Sequence, residues 1–303
     1  MKTIRKRKIK TEDHYGRLFG SIPLVGFLLF GLVPILFSVF LCFNQFKGLR
    51  LNTAQFVGFD NFVAIFQDEL FWKALYNTVF VIIATLISLV LALIVSVLLS
   101  SNVKGAKIFK VIYFIPYVCS MVALTFMWKW IFDYNYGVLN TVLLHLGWIK
   151  EKINWLGDAA YYRGTMMVVL VWSGTGFDII LFSAALTAVN RSCYEAAEID
   201  GAGPIRRFFH ITFPAISPTT FYLLIMGLIG SLQEFTRFQV MSPDGGPEYK
   251  GLTLGFYLYR TLFNASGGSD LGKATAIGWL IALLIGIVTA LNFVLSKKWV
   301  SYD

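Results

Sequence analysis

The sequence predicts an all-α integral membrane protein that crosses the bilayer six times, and three observations carry that reading. Of the 303 residues, 57% are hydrophobic and only 14% charged, with a mean hydropathy of +0.67. A soluble domain carries about 25% charged residues, so this chain lacks the charge to cover a water-facing surface. Its apolar residues gather into six runs, each near the roughly 20 residues a helix needs to cross about 30 Å of hydrocarbon. Lysine and arginine are also shared unevenly between alternate connections. Six crossings fill most of the chain and exclude a large soluble catalytic domain.

The runs lie at about 18–43, 74–100, 111–132, 164–189, 215–240 and 273–296. Helices are expected because they alone, among open-ended elements, satisfy their own backbone in lipid. The first run holds 26 residues and lacks a small-residue cleavage pattern, whereas a secretory signal core has about 7–15, so it is read as a retained span bent near Pro23 and Pro34. The chain divides into a basic segment 1–17, a six-helix domain 18–296 with a connecting segment 192–214, and a tail 297–303.

Cytoplasmic connections retain positive charge, which orients the spans. With the N-terminus inside, the inner connections hold fifteen Lys and Arg and the outer ones seven. Both termini are therefore expected in the cytoplasm. The net charge of +9 and the run Arg5, Lys6, Arg7, Lys8 read as an anchor at anionic headgroups rather than as a nucleic-acid surface. Trp72, Trp128, Trp130, Trp148 and Trp155 fit interfacial belts. The three cysteines and three histidines show no ligand spacing, so neither a metal nor a disulfide is expected.

Between the fourth and fifth runs the chain reads Ser192-Cys-Tyr-Glu195-Ala196-Ala197-Glu198-Ile199-Asp200-Gly201-Ala202-Gly203-Pro204. Ser192 with Glu195 three residues on is a capping-box pattern, Gly201 or Gly203 suits a helix end, and Pro204 suits the first turn of a second helix over 205–211. A helix, a glycine corner and another helix would make a knob on the cytoplasmic face. Glu195-Ala196-Ala197, Asp200-Gly201-Ala202, Phe209, Ile211 and Pro214 resemble the EAA motif of membrane subunits in binding-protein-dependent ATP-binding-cassette importers. Gly58-Phe59-Asp60-Asn61-Phe62, Tyr113-Phe114-Ile115-Pro116 and Gly245-Gly246-Pro247 extend the resemblance to the carbohydrate-uptake branch, of the maltose- and glycerol-phosphate-transporter type of first membrane subunit.

That resemblance implies a type I importer permease fold in a bacterial cell membrane and a division of labour. A second homologous permease subunit completes a heterodimeric pathway, two cytoplasmic ATPase subunits hold the ATP and magnesium, and an extracytoplasmic solute-binding protein delivers a carbohydrate. It implies that Glu195, Ala196, Ala197, Asp200 and Gly201 contact the ATPase. The residue types agree: the alanines allow close approach, Glu195 offers a carboxylate to a basic partner or caps its own helix, and Gly201 permits the turn. No cofactor is expected in this chain. The stretch from Gly267 to Lys273 has GxxxxGK spacing but puts Ala274 where a hydroxyl must ligate magnesium, and it follows no strand.

A solute site is expected where polar groups fall inside spans, because a charge at mid-bilayer costs about 2.5–3.5 kcal/mol on insertion scales. In the fourth run, Asp178 is the first candidate, with Trp172 and Thr175 near it. In the fifth, Gln233, Glu234 and Arg237 fall on one helical face. Carboxylate and amide groups can hold sugar hydroxyls, and ring faces can cover sugar C–H surfaces. An ion pair between Glu234 and Arg237, a bond from Asp178 to the other membrane subunit, and packing of Trp172 are the structural alternatives. Other solutes such as glycerol phosphate, polyamine or phosphate, or an ion-coupled secondary transporter, are the rival functions; an enzyme lacks any catalytic set.

Overall fold

The computed structural model describes residues 15–17, 19–46, 51–100, 103–263 and 270–301. The basic run 5–8 lies outside the described residues, as do Lys47, Arg50 and residues 267–269. In chain order the helices are α1 (Tyr15–Cys42), α2 (Asp60–Gln67), α3 (Glu69–Ser100), α4 (Ala106–Val118), α5 (Met121–Ile131), α6 (Val138–His145), α7 (Ala159–Ala188), α8 (Arg191–Ile199), α9 (Pro204–Gln233), α10 (Thr236–Met241), α11 (Leu254–Leu262) and α12 (Leu271–Ser296). A short antiparallel hairpin, β1 (Asn44–Gln45) with β2 (Gln55–Phe56), follows α1. Among the described residues, α1, α3, α7, α9 and α12 are each long and apolar enough to cross a membrane. The pair α4 and α5 makes a sixth crossing if the two count as one broken span.

That bent pair corrects the expectation of one helix over 111–132. The chain turns through 101° between α4 and α5. Pro116 lacks the N–H that would bind the carbonyl of Ile112, and three residues later the backbone leaves the helical region, with ψ at 153° in Cys119 and 124° in Ser120. A proline acts differently in α1 and α9. The α-helical winding widens to a π turn over Leu28–Leu32, just before Pro34, and again over Phe208–Thr212, just before Pro214. Each wide turn accommodates a ring that would otherwise clash with the carbonyl four residues back. Winding through Pro23 stays α-helical.

The fifth run also differs from its expected limits of 215–240. Its helix begins at Pro204, so the second arm of the connecting segment and the span are one helix of 30 residues. That helix stops at Gln233 because Glu234 turns extended (ψ 124°) and its carbonyl accepts the hydroxyl hydrogen of Thr253. Gly255 packs against the freed end, where a Cβ would lie 2.8 Å from the Gln233 carbonyl oxygen.

The chain forms two compact units. One comprises the described residues up to Ile65 together with 261–279. There the Gly58-Phe59-Asp60-Asn61-Phe62 stretch has a structural role: the buried Asn61 amide donates to the carbonyls of Cys42 (2.9 Å) and Asn44 (3.1 Å), closing the β-hairpin onto the end of α1. Asp270 caps α12 by accepting from the Lys273 N–H at 2.8 Å.

The other unit, residues 66–260 and 280–303, holds the helix bundle. Its core joins Leu89 and Ala92 of α3, Ile179 and Phe182 of α7, and Ile216 and Leu223 of α9. Small residues let these helices approach: a Cβ on Gly174 would meet Ser88 Oγ at 2.8 Å, and one on Gly227 would meet Thr85 Cγ2 at 2.7 Å. Hydroxyls bridge the same helices, Thr85 with Ser231 at 2.7 Å and Ser88 with Thr175 at 3.2 Å. In the lipid such pairs satisfy polar groups that water cannot reach.

Candidate functional site

Two features gather the residues that sequence analysis singles out, an exposed elbow and a cleft in the bundle. The elbow starts where α7 ends. Val189 turns extended, and Asn190, not Ser192, caps α8: its Oδ1 accepts from the Ser192 N–H at 3.0 Å and from the Ser192 hydroxyl at 2.9 Å. Asn competes as well as Ser for a cap, and here it stands at the residue where the backbone is still extended. Glu195 is thus released from a capping-box role. It lies 3.8 Å from Arg191, four residues back on the same helix, with both side chains largely exposed, so the pair adds little to stability.

The helix ends in a Schellman turn. Gly201 takes φ +71°, its N–H binds the Glu198 carbonyl at 3.1 Å, and the Ala202 N–H binds the Ala197 carbonyl at 2.9 Å. Pro204 then opens α9. Of the residues assigned to partner contact, Glu195, Ala196, Asp200 and Gly201 are exposed and Ala197 is half-buried. Nothing in the chain lies within 4 Å of a Cβ built on Gly201. Sequence reasoning missed Ile199 and Ile205, which flank the corner at 88% and 76% exposure. Their signal was an apolar side chain at each edge of an otherwise polar connection.

The cleft, with a volume of about 430 Å³, lies among α3, α4, α7 and α9. Asp178 lines it from α7, Glu234 from the break after α9, and Arg237 from the first turn of α10. Asp178 makes no hydrogen bond or ion pair with any described residue. Glu234 and Arg237 are paired twice: the Glu234 carboxylate accepts from the Arg237 N–H at 3.2 Å and from its guanidinium. Capping of α10 by this carboxylate and pairing of the two charges come from one geometry. Tyr117 and Phe177 form a stacked wall, ring centroids 4.5 Å apart.

The structure does not gather every expected contact there. Gln233 ends α9 and is exposed, because the break separates it from Glu234 and Arg237 instead of leaving all three on one face. Thr175 is buried and does not line the cleft; it is bonded to Ser88, which does. Trp172 lines an adjoining cavity of about 110 Å³ and packs edge-on against Trp128, centroids 5.3 Å apart. Arg237, Tyr117, Met121 and Ser173 border both spaces. Tyr117, Tyr222 and Ser231 are cleft residues that periodicity alone did not mark. Tyr117 owes its place to the bend after Pro116.

Residues 84–300 match the family model of the binding-protein-dependent transport system inner membrane component. The chain is 33% identical over 303 residues to the probable ABC transporter permease protein YesP of Bacillus subtilis, covering 99% of this chain and 96% of that protein. It is 35% identical over 306 residues to the diacetylchitobiose uptake system permease protein NgcF of Streptomyces coelicolor, covering 97% and 85% respectively. A chain in the crystal structure of the bacterial alginate ABC transporter, in complex with its alginate pentasaccharide-bound periplasmic protein, superposes with a TM-score of 0.79 at 25% identity and covers 97% of this chain and 96% of that one. This chain therefore belongs to the family of binding-protein-dependent transport system inner membrane components, the permease subunits of ABC importers.

Proposed function

We propose that this chain forms half of the translocation pathway of an ATP-driven carbohydrate importer, paired with a second homologous permease subunit. ATP and magnesium belong to two separate ATPase subunits at the cytoplasmic face, and an extracytoplasmic binding protein delivers the solute. Both termini are cytoplasmic, as the distribution of basic residues favours. The observation that carries the reading is Asp178, an unpartnered carboxylate within a span, facing a cleft that also presents tyrosine hydroxyls, Ser231 and an aromatic wall. A sugar supplies the hydroxyl donors such a carboxylate lacks, and C–H faces for the rings. The relatives' names, diacetylchitobiose and alginate, point to the same solute class.

A phosphate ester such as glycerol phosphate fits less well. Arg237 is engaged by Glu234, so the residues lining the cleft offer a phosphate no unpaired cation. The elbow supports the second half of the reading, since Glu195, Ala196, Ala197, Asp200 and Gly201 surround a corner with open space for a partner and exposed apolar residues at its edges. Gentle purification from the host membrane, followed by mass spectrometry, tests it. A second permease subunit and an ATPase should accompany the chain, and the ATPase should be lost with Glu195→Lys or Gly201→Asp. A chain that purifies alone and still transports without ATP would instead be a secondary transporter.

A further inference from the structure

One hydrogen bond joins the two arms of the elbow. Tyr194 precedes the exposed Glu195 on α8 and turns its side chain the other way, toward α9. Its hydroxyl lies 2.7 Å from the hydroxyl of Thr212, which is only 6% exposed. Thr212 is the last residue of the π turn Phe208–Thr212, in which the Phe213 N–H reaches back five residues to the Phe208 carbonyl. One extra residue in a turn rotates everything after it by about 100° relative to a plain α-helix. The π turn therefore sets the azimuth at which Thr212 meets Tyr194. The other link between the arms, Arg207 to Glu198, is 3.9 Å long and carries a glutamate that is 75% exposed, so solvent screens it.

Beyond Thr212 the helical winding continues through Pro214 and Pro218 to Gln233, a run of about 30 Å at 1.5 Å per residue. At its base the chain is fastened again: Trp299 stacks on Phe213 with centroids 6.2 Å apart, and the Ser301 N–H donates to Ser217 Oγ at 2.9 Å. At its far end stands the break whose Glu234 and Arg237 line the cleft. One continuous element thus runs from the elbow to the cleft.

We propose that Tyr194 and Thr212 are positioning residues that lock α8 to α9, so that a displacement of the elbow is passed along α9 to the Glu234 break rather than absorbed by flexing at Gly201 and Gly203. This rests on the reading of the elbow as the ATPase contact. Without the bond, the two glycines leave α8 free to swing against α9. The neighbouring Glu195 then still binds its partner but no longer drags the helix.

The test uses the purified assembly of permease and ATPase subunits in proteoliposomes, with Gln233→Cys as reporter at the end of α9. Its maleimide labelling rate is measured with and without Mg-ATP plus vanadate, after subtracting labelling of the assembly that lacks the reporter. ATP should change that rate in the parent. The change should shrink about fivefold in Tyr194→Phe and in Thr212→Val, the factor an ordinary hydrogen bond carries. The double variant should be no worse than either single one, and Thr212→Ser should restore the response. All variants should keep the ATPase bound. A parental response retained in Tyr194→Phe, or no response in the parent, overturns the lock while leaving ATPase docking intact. Loss of the ATPase from the parent overturns the docking reading itself.

Discussion

Gly176 of α7 runs directly against the backbone of Tyr113 in α4: a Cβ at position 176 would lie 2.0 Å from the Tyr113 carbonyl oxygen. This contact fixes the bent α4–α5 pair to the bundle one turn before Pro116, and so holds Tyr117 where it walls the cleft. The neighbour is backbone and cannot rotate away, unlike Ser88 Oγ, which faces Gly174. Gly176→Ala should therefore cost about 1–3 kcal/mol, the range for overpacking a close contact, and lower the melting temperature of the purified subunit. Gly174→Ala should cost less, because Ser88 can change rotamer. Equal melting temperatures for the two variants would show that α4 yields freely.

Asp178 should matter to transport and not to assembly. It has no protein partner among the described residues to lose, so its removal leaves no orphaned group behind. A hydrogen bond to a charged group contributes about 1.5–3 kcal/mol, or roughly 10–100-fold. Asp178→Ala should lower solute-stimulated uptake by that factor while the variant co-purifies with its partners as the parent does. Normal uptake kinetics would remove Asp178 from the solute path.

Sequence patterns revealed five of the spans because each is a long apolar run whose period a helix preserves. They did not reveal the 101° turn at Cys119 and Ser120, since a proline inside an apolar run reads equally as a break or as the wide turns seen before Pro34 and Pro214. Which occurs depends on what the freed backbone meets. In α9 the same limit displaced Gln233 from its expected partners: three residues at helical spacing share a face only if the helix continues, and Thr253 with Gly255, both distant in sequence, end it. The elbow was the most legible part, because helix, αL glycine and proline are local signals. The identity of its cap, Asn190 in place of Ser192, and the continuity of its second arm with the fifth span were not local signals.

The phenol of Tyr257 donates to Asp68 Oδ2 at 2.6 Å, tying α11 to the start of α3. Burial, first, and then the Asp68 carboxylate hold its pKa well above the ordinary value near 10. The folded state thus keeps this proton more tightly than the unfolded chain, so the bond's contribution is complete below about pH 10 and declines as pH rises further. Tyr257→Phe should lower the melting temperature between pH 7 and 9, by the equivalent of about 1–2 kcal/mol. The gap between variant and parent should then narrow above about pH 10. A gap that widens with alkalinity would mean that the tyrosine is not the proton donor.

Glu195 separates partner binding from folding most cleanly. Its one ionic neighbour among the described residues, Arg191, is 92% exposed in its side chain and 3.8 Å away, an arrangement with little net stabilisation. Asn190, not Glu195, satisfies the first turn of α8. Glu195→Gln should accordingly leave the melting temperature of the isolated subunit unchanged within the effect of about 0.5 kcal/mol typical of a surface substitution. If its carboxylate meets a cation on the ATPase, the same change should weaken docking about tenfold or more, read by titrating the purified ATPase onto the permease in nanodiscs. Raising the salt should weaken the parent complex toward the variant's affinity, because an exposed ion pair is screened. Asn190→Ala should give the opposite pattern, a loss of about 1 kcal/mol in stability with a smaller effect on docking. Equal affinities for parent and Glu195→Gln at low salt would place the ATPase contact on Ile199 and Ile205, whose exposed side chains flank the same corner.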